Sequence, residues 1–150
     1  MRLVIVGAGI MGVTLATLAR ELNPDLDITI IERLPSPAMS NSGVFNNAGT
    51  GHEANCELNY TPVDEEEIAV DKALHIHAQF NVAKQFWAYL VKQGIVEDPS
   101  SFIHSTLHCT LVAEDSIEML RLRYKEMSKH HFFDNMIFSD AHEEIKSWIP

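Results

Sequence analysis

Three glycines and one glutamate carry the clearest chemical signal. They are Gly7, Gly9 and Gly12, in the string Gly7-Ala8-Gly9-Ile10-Met11-Gly12, and Glu32, 20 residues after Gly12. Each has a physical task. Gly7 permits a tight turn off a preceding strand. Gly9 leaves its surroundings free of side chain, so that a pyrophosphate can approach the backbone. Gly12 lets the following helix pack closely on the strand. That helix, with Ile10 and Met11 in its first turn, offers unpaired N–H groups and the positive end of its dipole to phosphate. Glu32, with Arg33 beside it, ends the next strand where a carboxylate can accept hydrogen bonds from adenosine ribose hydroxyls. The competing reading is a glycine-rich turn that binds nothing. The register of all the parts favours a dinucleotide.

The elements around these residues fit that task. Arg2 to Val6 is a short apolar run, suited to a buried parallel strand. Ile10 to Leu22 reads as a helix with apolar Val13, Leu15, Ala16, Leu18, Ala19 and Leu22, stopped by Asn23-Pro24-Asp25. Asp27 to Glu32 is a second β-branched strand. Together they make a βαβ unit of about 30 residues. The predicted class is α/β: a Rossmann-like unit, then a loop-rich and helical segment, forming an incomplete doubly wound domain. Two parallel strands do not bury both faces of such a sheet, so a piece of a longer protein is expected.

From Leu34 to Val70 periodicity fades. Ser, Asn, Gly and Pro dominate, and the string Asn46-Asn47-Ala48-Gly49-Thr50-Gly51-His52 stands out. A loop this long inside a domain is usually functional or disordered; Phe45, Leu58 and Tyr60 favour order. Side-chain amides and glycine N–H groups here suit close approach to a flavin, against the plainer reading of a surface turn. His52 closes the string and is a weak catalytic candidate. Asp64 to Glu67 reads as a solvated acidic loop.

Asp71 is placed to cap a long helix reaching Gln93, with Ile76, Phe80, Ala83, Trp87 and Leu90 on one stripe and Gly94 as its C-terminal glycine. Thr106 to Val112 reads as a strand. Asp115 and Glu118 are spaced as a capping box for another helix. A short strand at Met136 to Phe138 and a last helix capped by Ser139 or Asp140 follow. The organisation expected is 1–33 for the dinucleotide unit, 34–70 for a flavin-contacting loop and 71–150 for the mainly helical start of a substrate or cap region.

The bulk composition excludes several classes. The chain has 150 residues, 46% of them apolar and 21% charged, and a net charge of -10. That balance opposes nucleic-acid binding, which needs a basic face, and electrostatic adhesion to anionic lipid. The only cysteines, Cys56 and Cys109, lack metal or redox spacing and read as reduced thiols in a cytoplasmic protein. No apolar run reaches the length of a signal or membrane segment. His75 and His77 are two apart on a helix and His130 and His131 are adjacent, so neither pair chelates a metal. No metal site is expected.

The chain resembles the N-terminal part of the FAD-dependent malate:quinone oxidoreductases. The likeness runs nearly from end to end. It rests on Gly9-Ile10-Met11, Glu32-Arg33-Leu34, Asn46-Asn47-Ala48-Gly49-Thr50-Gly51-His52, Glu57-Leu58-Asn59-Tyr60-Thr61-Pro62, Gln85-Phe86-Trp87-Ala88, Arg123-Tyr124 and Trp148-Ile149-Pro150. Family members often carry Ser where Gly12 stands, Gly-Trp where this chain has Gly43-Val44-Phe45, and a different string at Leu107 to Val112. These departures bear on fine specificity rather than on flavin binding.

The resemblance implies an FAD enzyme that oxidises L-malate to oxaloacetate and passes electrons to membrane quinone, in the tricarboxylic acid cycle and respiration. It implies peripheral membrane contact on the cytoplasmic face through parts outside this chain. FAD would be held by Gly7, Gly9, Ile10, Met11, Gly12, Glu32, Arg33, Asn46, Asn47, Ala48, Gly49 and Thr50. In the mechanism expected, a base takes the hydroxyl proton as hydride leaves the alcohol carbon. No convincing base is present, and the base and the carboxylate-binding arginines are expected beyond Pro150. Two rivals stand beside this reading: another FAD-dependent 2-hydroxyacid oxidase or dehydrogenase, and a truncated, non-catalytic nucleotide-binding remnant.

Overall fold

The computed structural model describes residues 1–64, 67–104 and 107–149. It divides into two compact units, Met1–Thr50 and Gly51–Pro150. The division falls inside the long Asn/Gly-rich stretch.

The first unit is a βαβ. Strand β1 (Arg2–Val6) leads into helix α1 (Ile10–Leu22), and strand β2 (Asp27–Ile31) returns beside β1. The two strands run parallel, with Arg2 opposite Asp27 and Val6 opposite Ile31. The ladder extends one step further, because Gly7 donates its N–H to the Ile31 carbonyl at 2.8 Å. Ile5, Ala8 and Leu26 are buried here. The remaining apolar residues are not enclosed. Val6 and Ile31 are exposed, as are Leu15 and Leu22 of α1, and α1 has no fully buried residue. A two-stranded sheet with one helix has too little surface to cover itself.

The second unit contains a short antiparallel pair, β3 (Val63–Asp64) and β4 (Glu67–Ile68). Asp64 and Glu67 are therefore opposed strand residues, where the sequence pattern suggested only a solvated loop. Glu65 and Glu66 lie outside the described residues. Helix α2 (Asp71–Lys92) follows, then α3 (Ile117–Met127) and α4 (His142–Trp148). Helix α2 ends as its sequence predicts. Gly94 takes a left-handed φ of 70°, and the N–H groups of Gly94 and Ile95 return to the carbonyls of Val91 and Leu90. This is the paired closure that a C-terminal glycine permits.

The core of this unit joins Ala54, Ala73, Met127 and Phe133, ringed by Tyr60, Val70, Leu74, Ile76, Phe132 and Met136. His77 of α2 is buried in it. Its ring stacks on Phe132 at 4.4 Å, and its Nδ1 bonds the Glu53 carbonyl at 2.9 Å. Arg123 of α3 is also buried. Its guanidinium donates to Thr61 Oγ1 at 2.8 Å and to the carbonyls of Asn55 and Ala54 at 3.0 and 3.3 Å. Burial lowers the pKa of this arginine, yet arginine remains protonated in proteins. One side chain thereby ties α3 to the segment that opens the unit. That segment includes Ala54, held in a left-handed conformation at φ 63°.

Several expectations fail for identifiable reasons. Asp71 does not cap α2: Val70 holds that position with no side-chain cap bond, and Asp71 falls in the first turn, where its charge suits the helix dipole. Leu107 to Val112 forms no strand, and Thr106 lies outside the described residues. No described strand offers it a ladder, and an extended segment becomes a strand only by pairing with another. Its alternate residues Leu107, Cys109 and Leu111 instead line a shallow cleft with Ser147, Trp148 and Ile149. Met136 to Phe138 is likewise not a strand. The Phe138 ring lies 4.9 Å from the Arg121 guanidinium and 5.8 Å from the ring of Tyr124, so it packs as a cap on α3. The capping box at Asp115 and Glu118 does not form. A 3-10 turn over Glu114–Ser116 precedes α3, and α3 starts from Ser116 without a side-chain cap bond, while Glu118 pairs with Arg121 at 3.4 Å. The last helix starts two residues after Asp140. Ser139 still braces it, accepting from the Ala141 N–H and donating to Glu144.

Among the described residues no helix is long and apolar enough to cross a membrane, and no group of three or more His, Cys, Asp or Glu is arranged to hold a metal ion. Cys56 and Cys109 are both exposed and unbridged.

The Arg123 anchor gives a direct test. Arg123→Leu deletes every donor to Thr61 Oγ1, Ala54 O and Asn55 O while keeping much of the buried volume. Leaving a buried acceptor unpaired costs about 1–3 kcal/mol. The variant is expected to lose at least about 2 kcal/mol of unfolding free energy, read by urea denaturation with tryptophan fluorescence. A loss under about 0.5 kcal/mol, the scale of a neutral surface change, would show that the arginine is no anchor.

Candidate functional site

The turn after β1 is built around a left-handed glycine. Gly7 has φ 102°, a backbone region that side-chain-bearing residues rarely enter. This turn delivers Ala8 and Gly9 to the start of α1. A Cβ placed on Gly12 would lie 2.1 Å from the Gly7 carbonyl oxygen. The helix thus approaches the strand as closely as a bare Cα allows.

Glu32 closes the turn from the other strand. One carboxylate oxygen accepts from the Ala8 N–H at 2.7 Å, the other from the Leu34 N–H at 2.8 Å. These bonds hold its carboxyl below the usual glutamate range, the Ala8 N–H contributing most, then that of Leu34; partial desolvation opposes them. An ionised carboxylate has about four acceptor sites. Two are spent on the backbone, and the others are available to hydroxyl donors.

Over this turn lies a loop that the glycine motif does not specify. The Ala38 N–H donates to the Ala8 carbonyl at 3.0 Å, with Ala38 itself in a left-handed conformation at φ 61°. Gly43 and Asn46 continue the loop through N–H bonds to Ser40 O and Gly43 O, and the Asn46 side-chain amide donates to Ser40 O at 3.0 Å. Ser42 reaches back so that its Oγ accepts the Ile10 N–H at 2.9 Å. Together Gly7, Gly9, Glu32, Arg33, Leu34, Ala38, Ser40, Asn41 and Ser42 line a cleft of about 270 Å³. Its lining combines the backbone of the glycine turn, the side chains of Ser40, Asn41 and Ser42, and the fixed carboxylate of Glu32.

Residues 1–150 of the chain match, along their whole length, the sequence profile of malate:quinone oxidoreductase (Mqo). The chain belongs to the malate:quinone oxidoreductase family. It is similar to proteins named probable malate:quinone oxidoreductase from Chromohalobacter salexigens and from Flavobacterium psychrophilum, at 48% identity in each case. A protein of that name from Bordetella avium is 44% identical. Each alignment covers 99% of this chain but 30% of the relative, so the chain spans about a third of the length of these family members.

The structure gathers Gly7, Gly9, Glu32 and Arg33 around one cleft, with Ile10 and Met11 opening α1 beside them. The string Asn46 to Thr50 does not line that cleft. Asn46 braces the loop, Asn47 Oδ1 accepts the Gly49 N–H at 2.8 Å, Gly49 is left-handed at φ 65°, and Ala48 and Thr50 are exposed. Gly51 has a packing reason of its own: a Cβ there would meet the Phe80 ring at 2.2 Å. The exposed His52 sets its ring at 77° to that of Tyr60, with centroids 6.3 Å apart. The ammonium of Lys72 lies 4.9 Å from the centroid of the same Tyr60 ring. No carboxylate is hydrogen-bonded to the His52 ring among the described residues. Sequence reasoning missed Ser40, Asn41 and Ser42. Their signal was weak: a Ser/Asn cluster following Pro35 and Pro37, whose contact with Gly9 and Ile10 is set by tertiary folding.

Because the folded pKa of Glu32 is lowered, its stabilising effect is present above the ordinary glutamate range. It is lost as pH falls through the lower folded value. Acidification is therefore expected to raise hydrogen exchange at the Ala8 and Leu34 amides, relative to intrinsic rates, before the rest of the unit responds. In Glu32→Gln, which lacks the second acceptor, one of these amides is expected to be unprotected already at neutral pH. Equal protection of both amides in the variant would remove Glu32 from its clasping position.

Proposed function

We propose that this chain supplies the site for the ADP half of FAD in an enzyme that oxidises L-malate to oxaloacetate with quinone as electron acceptor. The reading rests above all on the family match across residues 1–150. The cleft fits the cofactor's chemistry. Gly9 keeps a side chain out of the space in front of α1, the N–H groups of the first helical turn suit a pyrophosphate, and the free acceptor sites of Glu32 suit ribose hydroxyls. Gly7, Gly9, Ile10, Met11, Gly12, Glu32 and Arg33 are the adenine-side set. Asn46, Asn47, Ala48, Gly49 and Thr50 are assigned to the flavin side on the family's string alone.

The exposed faces of β1, β2 and α1 suit a doubly wound domain completed by further strands and helices. The working division is a dinucleotide unit over 1–33, a flavin-contacting loop over 34–70 and the start of a substrate region over 71–150.

When bound, FAD supplies the hydride acceptor that malate oxidation requires. The residues of this chain hold and orient it. Glu32 fixes the ribose while clasping the turn, and the Met11 N–H with the positive end of the α1 dipole offsets phosphate charge. No residue here is assigned as the base. Among the described residues no carboxylate is hydrogen-bonded to His52, and the residue is exposed. Quinone as acceptor makes contact with a membrane surface part of the proposal, through regions other than the cleft.

The test is FAD titration of the chain and of Gly9→Val, followed by flavin fluorescence, with melting as the folding control. A Cβ on Gly9 would meet only Ser42 Oγ, at 3.1 Å, the movable end of a short side chain. The variant is expected to fold and to lose at least about tenfold in affinity, or about 1.4 kcal/mol, because the added side chain occupies pyrophosphate space. Unchanged FAD affinity would place the cofactor elsewhere. Malate-dependent reduction of a quinone analogue is expected from a protein that carries this chain with the remaining length of its relatives, and not from these 150 residues with FAD. Turnover by this chain alone would show that His52 or a neighbour acts as the base.

A further inference from the structure

Ser42 stands apart from the residues that the glycine motif explains. Helix α1 begins without a cap of its own, since Gly9 has no side chain and no acidic residue occupies the first turn. Yet the Ile10 N–H is satisfied by a hydroxyl 32 residues away, at 2.9 Å. The same oxygen lies 3.1 Å from where a Cβ of Gly9 would stand. Ser42 Oγ is therefore at the mouth of the space that Gly9 leaves open, and it lines the cleft together with Glu32.

A hydroxyl that accepts one hydrogen bond still has its own proton to donate. Among the described residues Ser42 Oγ donates to no acceptor on its own loop, whereas the Ser40 carbonyl already accepts from Gly43 and from Asn46. The loop is internally braced, so the placement of Ser42 does not depend on its bond to Ile10. The oxygen is fixed, its lone pair is used by the helix, and its proton is directed by whatever acceptor enters the cleft.

We propose that Ser42 is a pyrophosphate ligand, its hydroxyl accepting from the Ile10 N–H while donating to a phosphate oxygen of the bound dinucleotide. This rests on the reading of the cleft as a dinucleotide site, and it assigns to the loop 38–46 a specific part in it. The donor adds to the N–H groups of α1 without adding charge.

The experiment uses the 150-residue chain with ADP and with adenosine as probes, titrated calorimetrically against wild type, Ser42→Ala and Ser42→Thr. Loss of a hydrogen bond to a charged partner predicts that Ser42→Ala binds ADP at least about tenfold more weakly. Its adenosine affinity is expected to be unchanged, and Ser42→Thr, which keeps the hydroxyl, is expected to stay within about threefold of wild type on the same scale. Melting curves verify that the variants fold. Unchanged ADP affinity in Ser42→Ala overturns the proposal and leaves the dinucleotide reading standing. Equal losses for ADP and adenosine overturn it too, reducing Ser42 to a brace. Should wild type bind neither probe while folded, the dinucleotide reading itself falls, and the role of Ser42 with it.

Discussion

The carboxylate of Glu32 holds the first unit in its working shape. The turn after β1 leaves the Ala8 N–H pointing off the end of the sheet, and the chain leaving β2 does the same with the Leu34 N–H. Neither has a strand to receive it. Glu32 takes both, at 2.7 and 2.8 Å, and so converts two loose strand exits into one rigid edge. One side chain thereby satisfies two backbone donors that the ladder leaves over. Everything in the cleft is positioned relative to that edge. The glycine turn is fixed at Ala8, α1 starts two residues later at Ile10, and the loop from Leu34 onward begins from a tethered N–H.

That clasp also resolves an apparent conflict of charge. A dinucleotide carries negative phosphates, and the chain is strongly acidic, with a net charge of -10. A glutamate in such a cleft would repel them if its charge were free. Here two N–H dipoles offset part of it, and the carboxylate stands at the strand end, whereas the place proposed for the anion is the start of α1. The positive end of a helix dipole acts within its first turn, and exposed charges beyond about 10 Å are screened at ordinary ionic strength. Local geometry therefore outweighs net charge: a small field of backbone donors suffices within an acidic surface.

Much of this unit was legible in the sequence because the constraints are local. A β-branched run, a turn needing φ of 102° at Gly7 and a close approach at Gly12 each leave a mark at a fixed spacing. The boundaries of β1 and α1 follow from them. Helix α2 was legible for the same reason, including its terminal Gly94. The failures share the opposite property. Leu107 to Val112 has strand-forming residues, but no described strand pairs with it, and pairing is not written in the segment itself. Phe138 alternates like a strand residue but is recruited by Arg121 and Tyr124. The buried Arg123 could not be anticipated either, since a charged residue on a helix is normally solvated; only the oxygens of Thr61, Ala54 and Asn55, far away in sequence, make its burial affordable. Ser42 belongs with these cases, because its contact with Ile10 crosses 32 residues of chain.

The two kinds of glycine in the Asn46 to His52 string show how a motif can combine separate demands. Gly49 is left-handed, with open space around its missing Cβ, so its constraint is conformational. Gly51 is not in that region; its constraint is the Phe80 ring, which occupies the Cβ position. One glycine shapes the path of the chain at the end of the first unit. The other lets the second unit close over the α2 aromatic stripe, where Phe80 meets Trp87 edge-on at 5.9 Å. A string that looks like one binding loop thus contains at least one residue selected by packing alone. The binding role assigned to its other members therefore has to be argued residue by residue. For Asn46 the structure already offers an alternative use, since its side-chain amide is committed to Ser40 O in the loop that carries Ser42.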